Sequence, residues 1–184
     1  MTDASPETIH LEEAALAAFR RGDLPEAIEG FSLARAAYAA VNNPLKSAEM
    51  ANNLSVALLQ AGRAAEAAAA VRGTPQAFLA AGDDLRAAQA FGNLGSAQEA
   101  ARDRAAADSY RRAAELFRRL GERESLSLVQ RSLSALQLRA GKPLEALASM
   151  QEAVEETSSR GLRGRLLRWL LRLPFGRFLL PPRT

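Results

Sequence analysis

The chain has 184 residues, enough for one domain of ordinary size, and aromatic residues make up only 5% of it. The apolar content is mostly Ala and Leu, which are strong helix formers, so the composition favours an all-α protein. Because the sequence contains no Cys, disulfides, thiolate chemistry and a Cys-ligated metal are excluded.

The net charge of +3 conceals an asymmetry along the chain. Seven arginines and no acidic residue follow Glu156, so residues 1–156 hold 17 of the 24 basic residues against all 21 acidic ones. Residues 1–156, which we call the body, therefore have a net charge of −4. The chain's basic pI of about 9.9 is due to the arginines of residues 157–184. A mildly acidic body does not favour binding to nucleic acid.

The first elements are two helices. Ser5 and Pro6 predict a helix start, and Gly22 predicts its end. A second helix should begin near Leu24 and end before Pro44, which disfavours helical geometry at the preceding residue. No basic segment followed by an apolar run precedes them, so we expect no secretory signal and a cytoplasmic location.

This helix pair recurs with a period of about forty residues, which indicates stacked repeats rather than a single globular core. Small residues let the two helices of a pair approach closely, and bulky ones fill the gap between pairs. The small set is Ala27, Ala67, Ala106 and Ala146, and the bulky set is Phe31, Val71, Tyr110 and Met150. The alternative is that Ala-rich helices align with one another at any helical spacing.

The second repeat departs from the pattern at Gly73-Thr74-Pro75. Its second helix should be short or kinked there and restart near Gln76. The break is either sequence drift on an outer helix or a functional hinge.

Two short motifs recur with the helix pairs: Leu54-Ser55, Leu94-Gly95 and Leu133-Ser134 in first helices, and Gly22, Gly62 and Gly141 in turns. With these motifs, the repeats resemble the tetratricopeptide repeat (TPR) family in its longer form of about forty residues. The resemblance covers roughly residues 8–156, with Ala101-Arg102-Asp103 replacing one turn glycine. It implies a right-handed superhelical solenoid of about four helix pairs, whose first helices line a concave groove for a peptide or partner helix.

In longer-period members of the family, the Asn before the Leu-Gly pair commonly faces the groove and bonds the ligand backbone. That implies this role for Asn53 and Asn93, while Ser132 and Glu13 stand at the matching positions of the other repeats. The alternative is that Asn93 bonds a neighbouring helix within the solenoid.

The helical pattern itself leaves a polar row on the first helices after the apolar stripe is assigned to packing. An Asn amide both donates and accepts, which suits a peptide main chain. The row runs from acidic to basic, so an extended ligand would have a preferred direction. The predicted partner-binding residues are Glu49, Asn52, Asn53, Gln60, Asn93, Ser96, Arg131 and Arg139.

The composition changes after Ser159, which divides a repeat domain (residues 6–156) from a basic tail (157–184). The tail predicts an amphipathic helix that Pro174 ends and that is too short to span a bilayer. Leu and Trp on one face with Arg on the other suit a peripheral site on an anionic membrane surface. The residues concerned are Leu162, Arg165, Leu166, Arg168, Trp169, Leu170, Arg172, Leu173, Phe175 and Phe178.

Three other roles for the tail remain open. Leu162, Leu166 and Leu170 would cap the last repeat by packing on Ala146, Met150 and Ala153. Alternatively, the tail docks on another protein or second copy, or occupies the groove of its own chain.

No catalytic pattern accompanies the only histidine, His10, and the Gly92–Gly95 stretch lies within a helix rather than after a strand. The sequence therefore predicts a protein with no enzymatic activity, cofactor or metal. The expected partners are a protein or peptide and an anionic membrane surface, not nucleic acid.

Overall fold

A computed structural model describes residues 5–157, with side chains described as far as Ala153. In this part of the chain we find nine α-helices and no strand. They are α1 (Pro6–Arg21), α2 (Leu24–Ala40), α3 (Pro44–Gln60), α4 (Ala64–Val71), α5 (Thr74–Ala80), α6 (Asp84–Ala100), α7 (Ala106–Leu120), α8 (Arg123–Arg139) and α9 (Pro143–Thr157).

The chain divides into two compact units between Leu120 and Gly121. In the first unit α1 packs against α2, α2 against α3, α3 against α4, α5 against α6, and α6 against α7. In addition, α3 contacts α5 and α6, and α4 contacts α6. In the second unit, α8 packs against α9. This arrangement confirms the prediction of an all-α chain built from helix pairs that stack in sequence order.

Polar side chains cap the starts of several of these helices, and the cap at Ser5 is the one that the sequence predicts. The Ser5 hydroxyl accepts a hydrogen bond from the Thr8 backbone N–H at 3.2 Å, which caps α1. Asp23, Asn43 and Asp83 accept equivalent bonds at the starts of α2, α3 and α6. A hydrogen bond from the Arg86 backbone N–H is the largest cause that lowers the pKa of Asp83.

The buried side chains are small alanines interleaved with a few large residues. The core of the first unit includes Phe31, Tyr38, Met50, Leu54 and Leu58. Of the predicted bulky set, Phe31, Val71 and Tyr110 are buried, but the Met150 residue is 38% exposed. Met150 differs because no helix follows α9 in the described part of the chain. The space that its side chain was expected to fill is therefore bounded by helices on one side only.

The predicted break in the second repeat is present between α4 and α5. The restart occurs at Thr74, and Thr74, Pro75 and Phe78 are all buried. The Arg86 guanidinium lies 5.0 Å from the centre of the Phe78 ring, which ties α5 to α6. In this structure α5 is a packed element of the first unit.

Candidate functional site

A pair of asparagine amides links two first helices of the first unit. Asn93 Nδ2 on α6 donates a hydrogen bond to Asn52 Oδ1 on α3 at 3.0 Å, and both residues are half-buried. Among the described residues, the other amide atoms, Asn52 Nδ2 and Asn93 Oδ1, have no hydrogen-bond partner. The pair therefore presents one donor and one acceptor whose positions are fixed by their mutual bond.

Two further amides lie on the same side of α3. Asn53 is half-buried, and its side chain makes no hydrogen bond to another described residue. Gln60, seven residues further on and two turns away, is exposed. We call the set formed by Glu49, Asn52, Asn53, Gln60 and Asn93 the amide face.

Glu49 connects the amide face to a row of charged side chains. Its carboxylate lies 3.5 Å from Lys46 Nζ on the same helix and 3.6 Å from an Arg86 guanidinium nitrogen on α6. Lys46 Nζ in turn lies 2.8 Å from the Glu12 carboxylate on α1. The expected acidic end of the groove is thus partly neutralised by two cations.

Tyr38 on α2 also belongs to this row, since its hydroxyl donates a hydrogen bond to Glu12. Burial, followed by that bond and the charges of Glu12 and Glu49, raises the pKa of Tyr38 to about 12. For Lys46, burial lowers the pKa, but the bond to Glu12 and the two carboxylate charges outweigh it and leave the pKa raised. This network was not predicted from the sequence, because it joins side chains from three separate helices, α1, α2 and α3.

A shallow cavity of about 460 Å³ opens beside the charged row. Ile9 and Leu16 supply apolar lining, and Glu12 and Glu13 supply carboxylates. Ile9 is also half-exposed. Tyr38 and Lys46 also line the cavity and already bond Glu12, so Glu13 is the carboxylate there that a side chain with an apolar stem and a cationic end would meet.

Ser96, another predicted groove residue, is engaged in packing. Its hydroxyl donates to the Gly92 carbonyl at 3.1 Å and accepts from the Tyr110 hydroxyl at 3.2 Å. Tyr110 also donates to Glu99 at 2.7 Å, so this end of α6 is fastened to α7. Leu94 and Gly95, which form the repeat motif of α6, are buried beside it.

The remaining predicted groove residues, Arg131 and Arg139, lie on α8 in the second unit, and both are exposed. Ser132, at the position that matches Asn53 and Asn93, donates to the Leu128 carbonyl of its own helix at 3.3 Å.

The tail predictions fall outside the described residues. They concern Leu162, Arg165, Leu166, Arg168, Trp169, Leu170, Arg172, Leu173, Phe175 and Phe178. Within residues 5–157, no helix is long and apolar enough to cross a membrane. The same residues contain no group of His, Cys, Asp and Glu side chains that could hold a metal ion.

Comparison with known proteins yields a structural relative. No protein-family model and no curated protein matches the chain. The crystal structure of BtubC (BKLC) from P. vanneervenii matches with a TM-score of 0.76 at 22% sequence identity, covering 100% of this chain and 70% of that one. A likeness at this identity shows a shared helical fold.

Proposed function

We propose that the protein is a non-enzymatic interaction scaffold of the tetratricopeptide type, which holds an extended peptide or partner helix against the amide face. The groups presented there are neutral amides and salt-bridged charges. Such groups bind and orient a polypeptide, whereas acyl or phosphoryl transfer needs an activated nucleophile or general base.

One observation carries the proposal. The Asn52–Asn93 pair leaves a donor from one amide and an acceptor from the other without a partner among the described residues. A peptide group has the complementary acceptor and donor. The match persists if the oxygen and nitrogen of both amides are exchanged, since each amide still keeps one unpaired group of opposite kind.

The adjacent groups define the kind of peptide. Asn53 and Gln60 extend the row of amides along α3, so main-chain contacts would dominate. The cavity lined by Ile9, Leu16 and Glu13 adds a place for a cationic side chain with an apolar stem. The proposed ligand is therefore an extended segment with a basic residue, recognised chiefly through its backbone.

The proposed location is the cytoplasmic face of a membrane, where the scaffold would aid assembly of a membrane complex. Support comes from the seven arginines, without an acid, that follow Glu156. Basic residues near an anionic surface contribute about 1 kcal/mol each. Attachment at the surface is consistent with the lack of a spanning helix in residues 5–157.

Peptides selected from a random displayed library against the full-length protein test the binding role. Asn53→Ala removes an amide that no other described side chain uses, so it should weaken selected peptides about 3- to 10-fold without changing the melting temperature. The matched control is Gln76→Ala, which removes an exposed amide on α5. Affinity is read by fluorescence anisotropy.

The same measurement can contradict the proposal. Equal affinities for wild type and Asn53→Ala would show that selected peptides bind elsewhere. Failure to select any peptide above background would also count against a peptide-binding face. A peptide methylated on its backbone nitrogens should bind less tightly than its parent, because methylation removes the main-chain donors.

A further inference from the structure

The second unit leaves large apolar side chains in contact with solvent. On α9, Leu147 is 51% exposed and Met150 is 38% exposed, and on α8, Leu138 is 57% exposed. Leu128 and Leu144 are also exposed on these helices. Several exposed large apolar side chains on one helix pair are typical of a surface that another element covers.

The positions in the first unit that match Met150 and Leu138 are covered. Phe31 stands on α2 where Met150 stands on α9, and only 1% of it is exposed. The helix that bears it packs against both the preceding helix α1 and the following helix α3. Likewise Leu59, which matches Leu138, packs against the core of the first unit. Within residues 5–157, by contrast, no following first helix packs against the α8–α9 pair.

The sequence after α9 contains a segment in register with the first helices. Three buried positions recur in α3, α6 and α8 at intervals of thirty-nine or forty residues, and the next interval falls on apolar residues of the tail. The series are Met50, Ala90, Val129 and then Trp169; Ala51, Phe91, Gln130 and then Leu170; Leu54, Leu94, Leu133 and then Leu173.

The connection has the right length for this placement. Three residues separate α2 from α3, and three separate α5 from α6. A helix that begins a few residues after Thr157 would occupy the same place relative to α9. The segment 162–173, which the sequence predicts to be helical, begins at that distance.

Pro174, directly after the segment 162–173, also fits the end of the repeat array. Ser55, Gly95 and Ser134 are buried small residues in the first helices, and the next interval falls on Pro174. At Gly95 an added Cβ would lie 2.7 Å from the Tyr110 ring, so that small residue serves a close crossing with the second helix of its pair. A proline there ends the helix where a second helix would otherwise cross.

We propose that residues 162–173 form a fifth first helix, which covers the exposed apolar surface of α8 and α9 and ends the repeat array. Trp169, Leu170 and Leu173 would then meet Leu147, Met150 and Leu138, rather than Ala146 and Ala153, which α8–α9 packing already buries. Arg165, Arg168 and Arg172 fall on the opposite side of the helical pattern and stay free for an anionic surface. The inference does not depend on the proposed peptide-binding role.

Trp169 is the only tryptophan, so its fluorescence in the full-length protein reports on this segment alone. Without lipid, its emission should lie to the blue of the urea-unfolded protein and resist acrylamide quenching. The double substitution Leu147→Asp with Met150→Asp should shift the emission to the red, restore quenching and lower the melting temperature by roughly 5–10 °C. Leu33→Asp, at an equally exposed leucine of α2, is the control and should change neither signal.

Four results would overturn the inference. Wild-type emission at the unfolded position would show that nothing covers Trp169, and unchanged emission in the double variant would place its contact elsewhere. Protection that appears only with phosphatidylglycerol vesicles would assign the apolar face to lipid. Protection that fades on dilution would assign it to a second copy of the chain. Circular dichroism checks that the variants keep their helix content.

Discussion

The Tyr38 hydroxyl shows how a single buried group can join three helices. It lies on α2, donates to Glu12 on α1, and through that carboxylate is coupled to Lys46 on α3. Because the folded state raises its pKa to about 12, the folded protein holds the phenolic proton more tightly than the unfolded chain, whose tyrosines titrate near pH 10. The sign of this difference fixes a dependence of stability on pH.

The stabilisation is fully present below about pH 10 and should be lost as the pH rises towards about 12. Tyr38→Phe removes the ionisable group, so the difference in unfolding free energy between wild type and variant should shrink by roughly 2 kcal/mol between pH 9 and 12. Urea unfolding followed by circular dichroism measures it. Lys46 titrates in both proteins, and parallel pH profiles would contradict the assigned role of Tyr38.

Contacts between residues close in the sequence could be predicted, whereas contacts between distant helices could not. Ser5 and Pro6 were predictable, because capping depends on neighbours within one turn. A bond from Asn93 to a neighbouring helix was one alternative, but its partner Asn52 was not predicted, since pairing two amides 41 residues apart depends on how closely α3 and α6 approach. Arg102 adopts a positive φ of 58° where other turns use glycine, as at Gly62. An arginine does not predict this backbone conformation, whereas a glycine does.

At the scale of the element, the close packing of α6 against α7 depends on a glycine, which has no side chain. Gly95 faces Tyr110 so closely that a Cβ would lie 2.7 Å from a ring carbon. The ring is itself held by hydrogen bonds to Ser96 and Glu99, so it cannot move aside without losing them. The repeat motif could be predicted from its period. The short distance between Gly95 and the Tyr110 ring could not, because it depends on how α6 and α7 pack.

Gly95→Ala should therefore lower the unfolding free energy by about 1–3 kcal/mol through overpacking. The matched control is Gly73→Ala between α4 and α5, where a Cβ meets nothing within 4 Å and φ is negative. That control should change stability little. Urea denaturation of both variants tests the prediction, and equal effects would mean that the α6–α7 crossing is looser than the contacts indicate.

At the scale of the whole molecule, charge is divided between a body of net −4 and a tail with seven arginines. The helix pairs could be predicted from periodicity, because each pair repeats a local pattern. The exposure of Met150 could not, since it depends on which helix follows α9. The role of the tail is likewise set by its surroundings, so its arginines need a test separate from that of its apolar face.

Vesicle flotation provides that test. The full-length protein should float with phosphatidylglycerol-containing vesicles at low salt, and raising the salt should weaken binding. Substituting Arg165, Arg168 and Arg172 by Gln should reduce binding by roughly 100-fold, at about 1 kcal/mol for each charge. The control replaces Arg20, Arg35 and Arg72, three exposed arginines of the body, in the same way. Equal losses in both triple variants would contradict attachment through the tail.

The alanine-rich interior has a consequence for how the protein tolerates mutation. More than half of the apolar residues buried in the described helices are alanines, including Ala18, Ala57, Ala97 and Ala113. In most proteins the harmful core substitutions remove atoms and leave cavities. Here an alanine has almost nothing to lose, whereas any larger residue separates two helices that touch. At these alanine positions, substitutions that add volume should therefore destabilise the protein more than substitutions that remove it.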